Sequence, residues 1–325
     1  MINLKQASQE VQKAIDHLPS GKDVPATLYE PCYYMMEAGG KRIRPSLCVM
    51  ACSIFSENWQ QALAPAVGLE VFHNFTLVHD DIMDKSDFRR NRPTLHKKWN
   101  VNTAILTGDV MMIKAAEQFG NLPADRYYKI MPFFLETARK VCEGQQFDMD
   151  FESEERITLP AYMVMIRLKT AELLAASLKI GALIGNAPDP AAEALYRFGI
   201  HIGTGFQLRD DYLDVYADQN ELGKPVGSDI LNKKKTCLYL AALEKADFTT
   251  KNYLVKLFSS ESAPSHDDVK EVTEIYNRMG IPEWVNEKVA EQQSFAMQQI
   301  DNAGLPGEAV NELADFAAKM TGRVM

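Results

Sequence analysis

The chain is poor in basic charge. It carries 35 Lys and Arg against 44 Asp and Glu, a formal net charge of −9. General nucleic-acid and anionic-membrane binders need a basic face, so the total excludes both, though not a local basic pocket. Long hydrophobic runs are missing. The most apolar stretch, "AELLAASLKIGALIG", is interrupted by Lys179 and is too short to span a bilayer. The N-terminal "MINLKQASQEVQ" lacks the basic-then-apolar pattern of a signal peptide, and the expectation is a cytoplasmic protein. Cysteines are few and irregularly spaced: Cys32, Cys48, Cys52, Cys142 and Cys237. Cys48 and Cys52 lie one helical turn apart, but no second Cys/His pair completes a zinc set, and buried reduced thiols are expected. Period-2 alternation between tight turns is absent, as are internal repeats, low-complexity tracts and long linkers.

What is present is helical periodicity, over 62–83, 127–151, 161–185 and 191–216. Breaks rich in Gly, Pro and charge fall at "LPSGKD", "AGGKRIRP", "RRNRPT", "GNAPDP" and "LGKPVGSD". The expectation is one all-α domain over residues 1–325, a bundle of roughly ten or more helices. Helices that are apolar over much of their circumference must lie near its middle.

Residues 77–90, "LVHDDIMDKSDFRR", place four aspartates beside a mostly apolar helical run. Asp80 and Asp84 share a helix face, and like charges at that spacing disfavour a helix. Alone, the cluster reads equally well as a solvated acidic helix end. A second cluster in "FQLRDDYLDVY" repeats the arrangement with Asp210, Asp211 and Asp214. If both faces line one cavity, cations must separate the carboxylates. An all-oxygen donor set without nearby His or Cys suits Mg²⁺, which shares its shell with water and substrate phosphates. Basic runs follow both acidic clusters: Arg89, Arg90 and Arg92 after the first, Lys224 and Lys233–Lys235 after the second. Lys41, Arg42 and Arg44 sit on a glycine hinge, and Lys169 and Thr170 lie mid-chain. Each alone reads as a solvated charge. Their placement favours a phosphate ligand, which Arg binds bidentately and Lys as a point charge.

The motifs "GGKRIRP", "LVHDDIMD" with its trailing arginine pair, "GD" at Gly108–Asp109, "KT" at Lys169–Thr170, "FQLRDDYLD" and "GKPVGSDI" occur in this order. In this the chain resembles the trans-isoprenyl diphosphate synthases of the farnesyl/geranylgeranyl type, the polyprenyl synthetases. The resemblance implies an all-α isoprenoid synthase fold around a deep central cavity, usually in a homodimer. It implies head-to-tail condensation of isopentenyl diphosphate onto allylic diphosphates (dimethylallyl, geranyl or farnesyl). Asp80 and Asp84 would bind two Mg²⁺ ions and Asp210, with Asp214 nearby, a third. Arg89, Lys169, Gln207, Lys224 and Lys234 would help hold the allylic diphosphate, with Thr170 beside the reacting carbon. Lys41, Arg44, His73 and Arg90 would hold the diphosphate of isopentenyl diphosphate. No nucleic acid or membrane-spanning partner is implied.

"EVFH" (Glu70–His73) matches one half of a di-iron helical-bundle site, but no second Glu-x-x-His exists. Phe75 and Thr76 lie about 6–7.5 Å further along the helix than Asp80. In the resemblance, bulk there limits elongation, and a large Phe75 with a small Thr76 points to C15–C20 products. Gly223–Lys235 reads as a loop able to close over bound diphosphate. Asn91 and Arg92 depart from the glycine usual after the arginine pair. The alternatives are a longer-chain synthase, a terpene cyclase or head-to-head synthase, and a non-catalytic partner subunit. Cyclases usually lack "GGKRIRP", and a non-catalytic subunit should have lost aspartates that are all present here.

Overall fold

A computed structural model of the 325-residue chain describes residues 1–18, 23–154, 156–217, 226–301 and 303–322. The helices run in order α1 (Leu4–Asp16), α2 (Ala26–Glu37), α3 (Ile43–Phe55), α4 (Leu63–Met83), α5 (Leu95–Lys98), α6 (Val101–Glu117), α7 (Ala124–Ser153), α8 (Leu159–Ile166), α9 (Glu172–Ile184) and α10 (Asp189–Tyr216). Further helices follow at Ser228–Leu231, Cys237–Lys245, Phe248–Ser259, His266–Arg278, Ile281–Asp301 and Gly307–Gly322. The fold is all-α, as expected, and among the described residues no helix is long and apolar enough to cross a membrane.

Two local features differ from the sequence reading. The stretch expected as one helix over 161–185 is interrupted by a π-helical turn at Arg167–Ala171. Hydrophobic periodicity does not register one extra residue in a turn, and such bulges sit often at functional sites. A two-residue hairpin also appears, Phe88–Arg89 paired antiparallel with Arg92–Pro93. Arg90 and Asn91 at its tip both have positive φ (51° and 60°), the backbone of a tight primed turn. Asn tolerates that conformation, which accounts for Asn91 where glycine was expected.

The chain divides into two compact units, each made of three segments. The first comprises Met1–Glu136, Ala176–Tyr196 and Gly304–Glu312. In it, Asn3 and Gln6 form a capping box that starts α1, which buries Ala7, Val11 and Ile15 at four-residue spacing. α4 packs closely on α6 because Gly68 has no side chain; a Cβ there would lie 2.7 Å from the Ala115 carbonyl oxygen. Gly181 of α9 and Gly185 just after it likewise press onto the Cys48 and Cys52 carbonyls of α3. Phe72, Phe119 and Phe134 form an edge-and-tilt aromatic cluster with centroids 4.7–5.5 Å apart. Each such pair adds about 0.5–1.5 kcal/mol beyond simple burial.

The second unit comprises Thr137–Ala175, Arg197–Ala303 and Leu313–Met325. Its core includes Tyr162, Ile166, Leu208, Leu238, Tyr276 and Val285. Gly199 and Gly203 of α10 let its backbone approach Ala175 and Ala171; added Cβ atoms would lie 2.4 and 2.5 Å from those Cα atoms. Of the five cysteines, none of them in a disulfide, Cys32, Cys48, Cys52 and Cys237 are buried as expected. Cys142 is exposed on α7 and corrects that reading.

Candidate active site

In the first unit the acidic motif closes α4. Asp80, Asp81 and Asp84 occupy its last turn and cap. The helix dipole is negative there, so three carboxylates are electrostatically disfavoured without cations. Asp81 is buried and accepts from Arg89 Nε at 2.8 Å. Burial pushes its carboxyl up, and Arg89 counters that. Asp80 is partly exposed and Asp84 exposed. They remain the accessible carboxylates of the motif.

The glycine hinge supplies the opposing charge. Gly39 and Gly40 have φ of 78° and 137°, and a Cβ on Gly40 would lie 2.9 Å from the Arg90 guanidinium. Arg90 donates to the Gly39 carbonyl, so the hinge seats the arginine of the hairpin. Arg44 and His73 meet at 3.2 Å. Burial, followed by Arg44, Arg90, Arg89 and Arg42, holds the His73 imidazole well below its usual pKa. A neutral ring accepting from Arg44 fits that environment. The structure thus brings Arg44, His73 and Arg90 together, and leaves Lys41 exposed on the loop. Arg42 behaves differently. It is buried, caps α3 in a left-handed conformation, and donates to Glu70 Oε1 at 2.6 Å and the Met36 carbonyl at 2.7 Å. Glu70 is therefore an ion-pair partner, and the di-iron motif is accounted for. Phe75 is partly buried between Phe72 and His79, with centroids 5.5 and 5.0 Å away. Thr76 is partly buried and bonds back to the His73 carbonyl. Arg92 stacks 3.9 Å over the Tyr34 ring, which accounts for the second departure in the hairpin.

In the second unit a cleft of about 830 Å³, including its open mouth, collects the remaining residues. Lys169, Thr170, Gln207 and Asp210 line it with Asp148, Asp211, Asp229 and Lys233–Lys235. Phe151, Tyr162, Met165 and Ile166 supply an apolar wall. The π-turn aims Lys169 and Thr170 inward, and α7 admits it only because residue 144 is glycine. A Cβ on Gly144 would lie 2.3 Å from the Lys169 nitrogen. Lys169 bonds Asp148 at 2.5 Å, and Thr170 donates to Gln207 Oε1 at 3.0 Å. Asp211 is buried, which pushes its carboxyl up to about 6, while hydrogen bonds from Tyr162, Gln207 and Cys237 hold it back. Within the lysine run, Lys233 reaches the Ser260 carbonyl, and Lys235 caps α7 at the Phe151 and Glu152 carbonyls, 3.0 and 3.3 Å away. Lys234 is exposed at the cleft.

Asp214 lies deeper than Asp210. It is fully buried; Oδ1 accepts from Ser228 Oγ at 2.6 Å and Oδ2 from the Asp229 N–H at 2.8 Å. Its carboxylate is occupied in ordering the 227–229 turn. Lys224 lies outside the described residues, as does the first part of the expected closing loop. Among the described residues no three His, Cys, Asp or Glu side chains already converge as a metal-ligand group. That pattern still fits Mg²⁺, which uses one or two carboxylates and completes its shell with water and phosphate oxygens. Asp148, Asp211, Tyr162 and the Arg42–Glu70 pair were not singled out as site residues from the sequence. Asp148 stands in "EGQQFDMDFE", an ordinary acidic helix segment whose partner is 21 residues away.

The all-α fold and these two charged clusters define an isoprenoid synthase. A family description for polyprenyl synthetase matches residues 25–277, and the chain belongs to that family. It is similar to a geranylgeranyl diphosphate synthase of Methanosarcina mazei, 43% identical over 245 residues that cover 74% of this chain and 75% of that protein. It is also 35% identical over 313 residues to a short chain isoprenyl diphosphate synthase of Methanothermobacter thermautotrophicus, covering 95% and 94%. A crystal structure of a geranylgeranyl pyrophosphate synthase superposes with a TM-score of 0.91 at 36% identity, covering 99% of both chains. The chain is an enzyme that transfers prenyl groups, a short-chain trans-prenyltransferase.

Proposed function

We propose that this prenyltransferase condenses isopentenyl diphosphate with dimethylallyl, geranyl or farnesyl diphosphate to give C15–C20 prenyl diphosphates, as a cytoplasmic single-domain homodimer that uses three Mg²⁺ ions. The observation that carries the reading is the second unit's cleft, where Asp210, Lys169, Gln207 and Lys234 meet an apolar wall. The similarity to geranylgeranyl diphosphate synthases supports the upper end of the product range. The interleaving of three segments in each unit supports a single domain.

Enzymes of this family depend on a divalent cation. Here Asp80, Asp84 and Asp210 would hold Mg²⁺, which when bound neutralises the leaving diphosphate. Asp214 acts as the anchor of its turn. Arg89, Lys169 and Lys234, with Lys224, bind and orient the allylic diphosphate. Lys41, Arg44, His73 and Arg90 bind that of isopentenyl diphosphate. Neutralisation lets the allylic C–O bond break, with its electron pair leaving on the diphosphate. The C4 double bond of isopentenyl diphosphate then attacks C1 of the allylic cation. A proton leaves C2 for the departing diphosphate. Phe151, Met165 and Ile166 exclude water that would quench the cation. Phe75 limits chain growth.

The homodimer is supported by Ile105, Leu106 and Ile113, which expose an apolar side of α6. Light scattering after size exclusion should give twice 36.5 kDa. Incubation with Mg²⁺, labelled isopentenyl diphosphate and each allylic primer, followed by dephosphorylation and sizing, tests the activity. C15–C20 alcohols are expected. No labelled product with any primer contradicts the reading, and products beyond C20 favour the longer-chain alternative.

A further inference from the structure

Asp211 belongs to the second acidic motif, yet the proposed reaction gives it no task. It is 3% exposed. Gln207 Nε2 donates to its Oδ1 at 3.0 Å, while the Tyr162 hydroxyl and the Cys237 N–H, the latter at 3.3 Å, donate to Oδ2. Gln207, one helical turn earlier, thus has its NH₂ group turned toward Asp211. Its carbonyl oxygen then faces the other way and accepts from Thr170 Oγ1 at 3.0 Å. That hydrogen bond uses the only proton Thr170 has. Thr170 lines the cleft, and what its oxygen has left to offer there is lone-pair density. Lone pairs stabilise positive charge developing nearby, whereas a hydroxyl proton aimed at the same place would oppose it.

We infer that Tyr162 and Asp211 are positioning residues that fix the direction of the hydrogen-bond chain Tyr162–Asp211–Gln207–Thr170, and thereby aim the Thr170 oxygen at the allylic cation. The inference rests on the proposed placement of Thr170 beside the reacting carbon. Tyr162 is suited to the task. It is buried, and burial beside Asp211 drives its hydroxyl pKa well up, so it stays a donor. Asp211 is almost wholly buried, so a lost donor is poorly replaced from solvent.

The test is steady-state kinetics on Tyr162→Phe, Asp211→Asn, Thr170→Val and the double variant Tyr162→Phe/Thr170→Val, with an unfolding midpoint for each. Tyr162→Phe is expected to lower kcat about tenfold while the KM for isopentenyl diphosphate changes less than about twofold. The double variant should be no slower than Thr170→Val alone, because both changes break one chain. Asp211→Asn keeps the shape but can turn an N–H toward Gln207. It should show the same kcat loss, and it carries the test if Tyr162→Phe does not fold. Wild-type kcat in the folded Tyr162→Phe or Asp211→Asn variant overturns the inference, as do losses that multiply in the double variant. A wild-type enzyme that makes no prenyl product would instead overturn the functional reading beneath it.

Discussion

Arg42 and Arg44 stand two residues apart in one motif and do different things. Arg44 meets His73 in the cluster proposed to hold isopentenyl diphosphate, whereas Arg42 is sealed against Glu70. Removing one member of a buried ion pair leaves the other charge unpaired, so Arg42→Ala should cost about 3–5 kcal/mol of unfolding free energy. Chemical denaturation measures this, and a loss below about 1 kcal/mol would contradict the assignment. His73 gives a pH signature. Its folded-state pKa lies below its unfolded value, so the folded chain binds fewer protons. The associated stability is fully present above about pH 6.5 and falls as pH drops below it. Between pH 7 and pH 5 the wild-type melting temperature should fall more steeply than that of His73→Gln; parallel slopes would refute an imidazole held neutral. Phe75→Ala should lengthen the products of an enzyme that remains active. An unchanged product distribution would mean that Phe75 only fills space between Phe72 and His79. At this scale the sequence showed the aspartates, the lysine–threonine pair and the arginine pair, because each is a short local pattern. The residue pattern alone did not separate Arg42 from Arg44; the resemblance gave a substrate role to Arg44 only, and the fold supplies the reason by placing Glu70 opposite Arg42. Asp148 and Tyr162 were hidden because their partners lie 21 and 49 residues away.

At the scale of elements, the long helices were legible because apolar residues recur with the helical period. Observed ends of α4, α7 and α10 fall within about three residues of those expected, the usual reach of fraying and capping. The π-turn and the hairpin were not legible. One is a single inserted residue inside a helical pattern, and the other is two residues per strand. Both position polar side chains: Lys169 and Thr170 on the turn, Arg89 and Arg90 on the hairpin. The turn depends on a residue from another helix, Gly144. Gly144→Ala forces α7 away from the Lys169 backbone. It should lower kcat by more than about tenfold even if the helical content measured by circular dichroism is kept. Full turnover in that variant would show that the turn tolerates displacement and does not set the geometry of Lys169 and Thr170.

At the scale of the molecule, the acidic balance and the all-helical architecture were readable from composition and periodicity. The interleaving of two compact units was not, because it depends on packing between segments distant in sequence. The proposed function makes both Asp80 and Asp210 necessary for the departure of the allylic diphosphate. Single-turnover conversion of a labelled allylic primer with isopentenyl diphosphate tests this most directly, comparing wild type with Asp80→Asn and Asp210→Asn across a Mg²⁺ titration. The prediction is a loss of at least about a hundredfold in either variant, and no conversion in any protein once the metal is chelated. Wild-type conversion by either variant, or by the chelated enzyme, would contradict it.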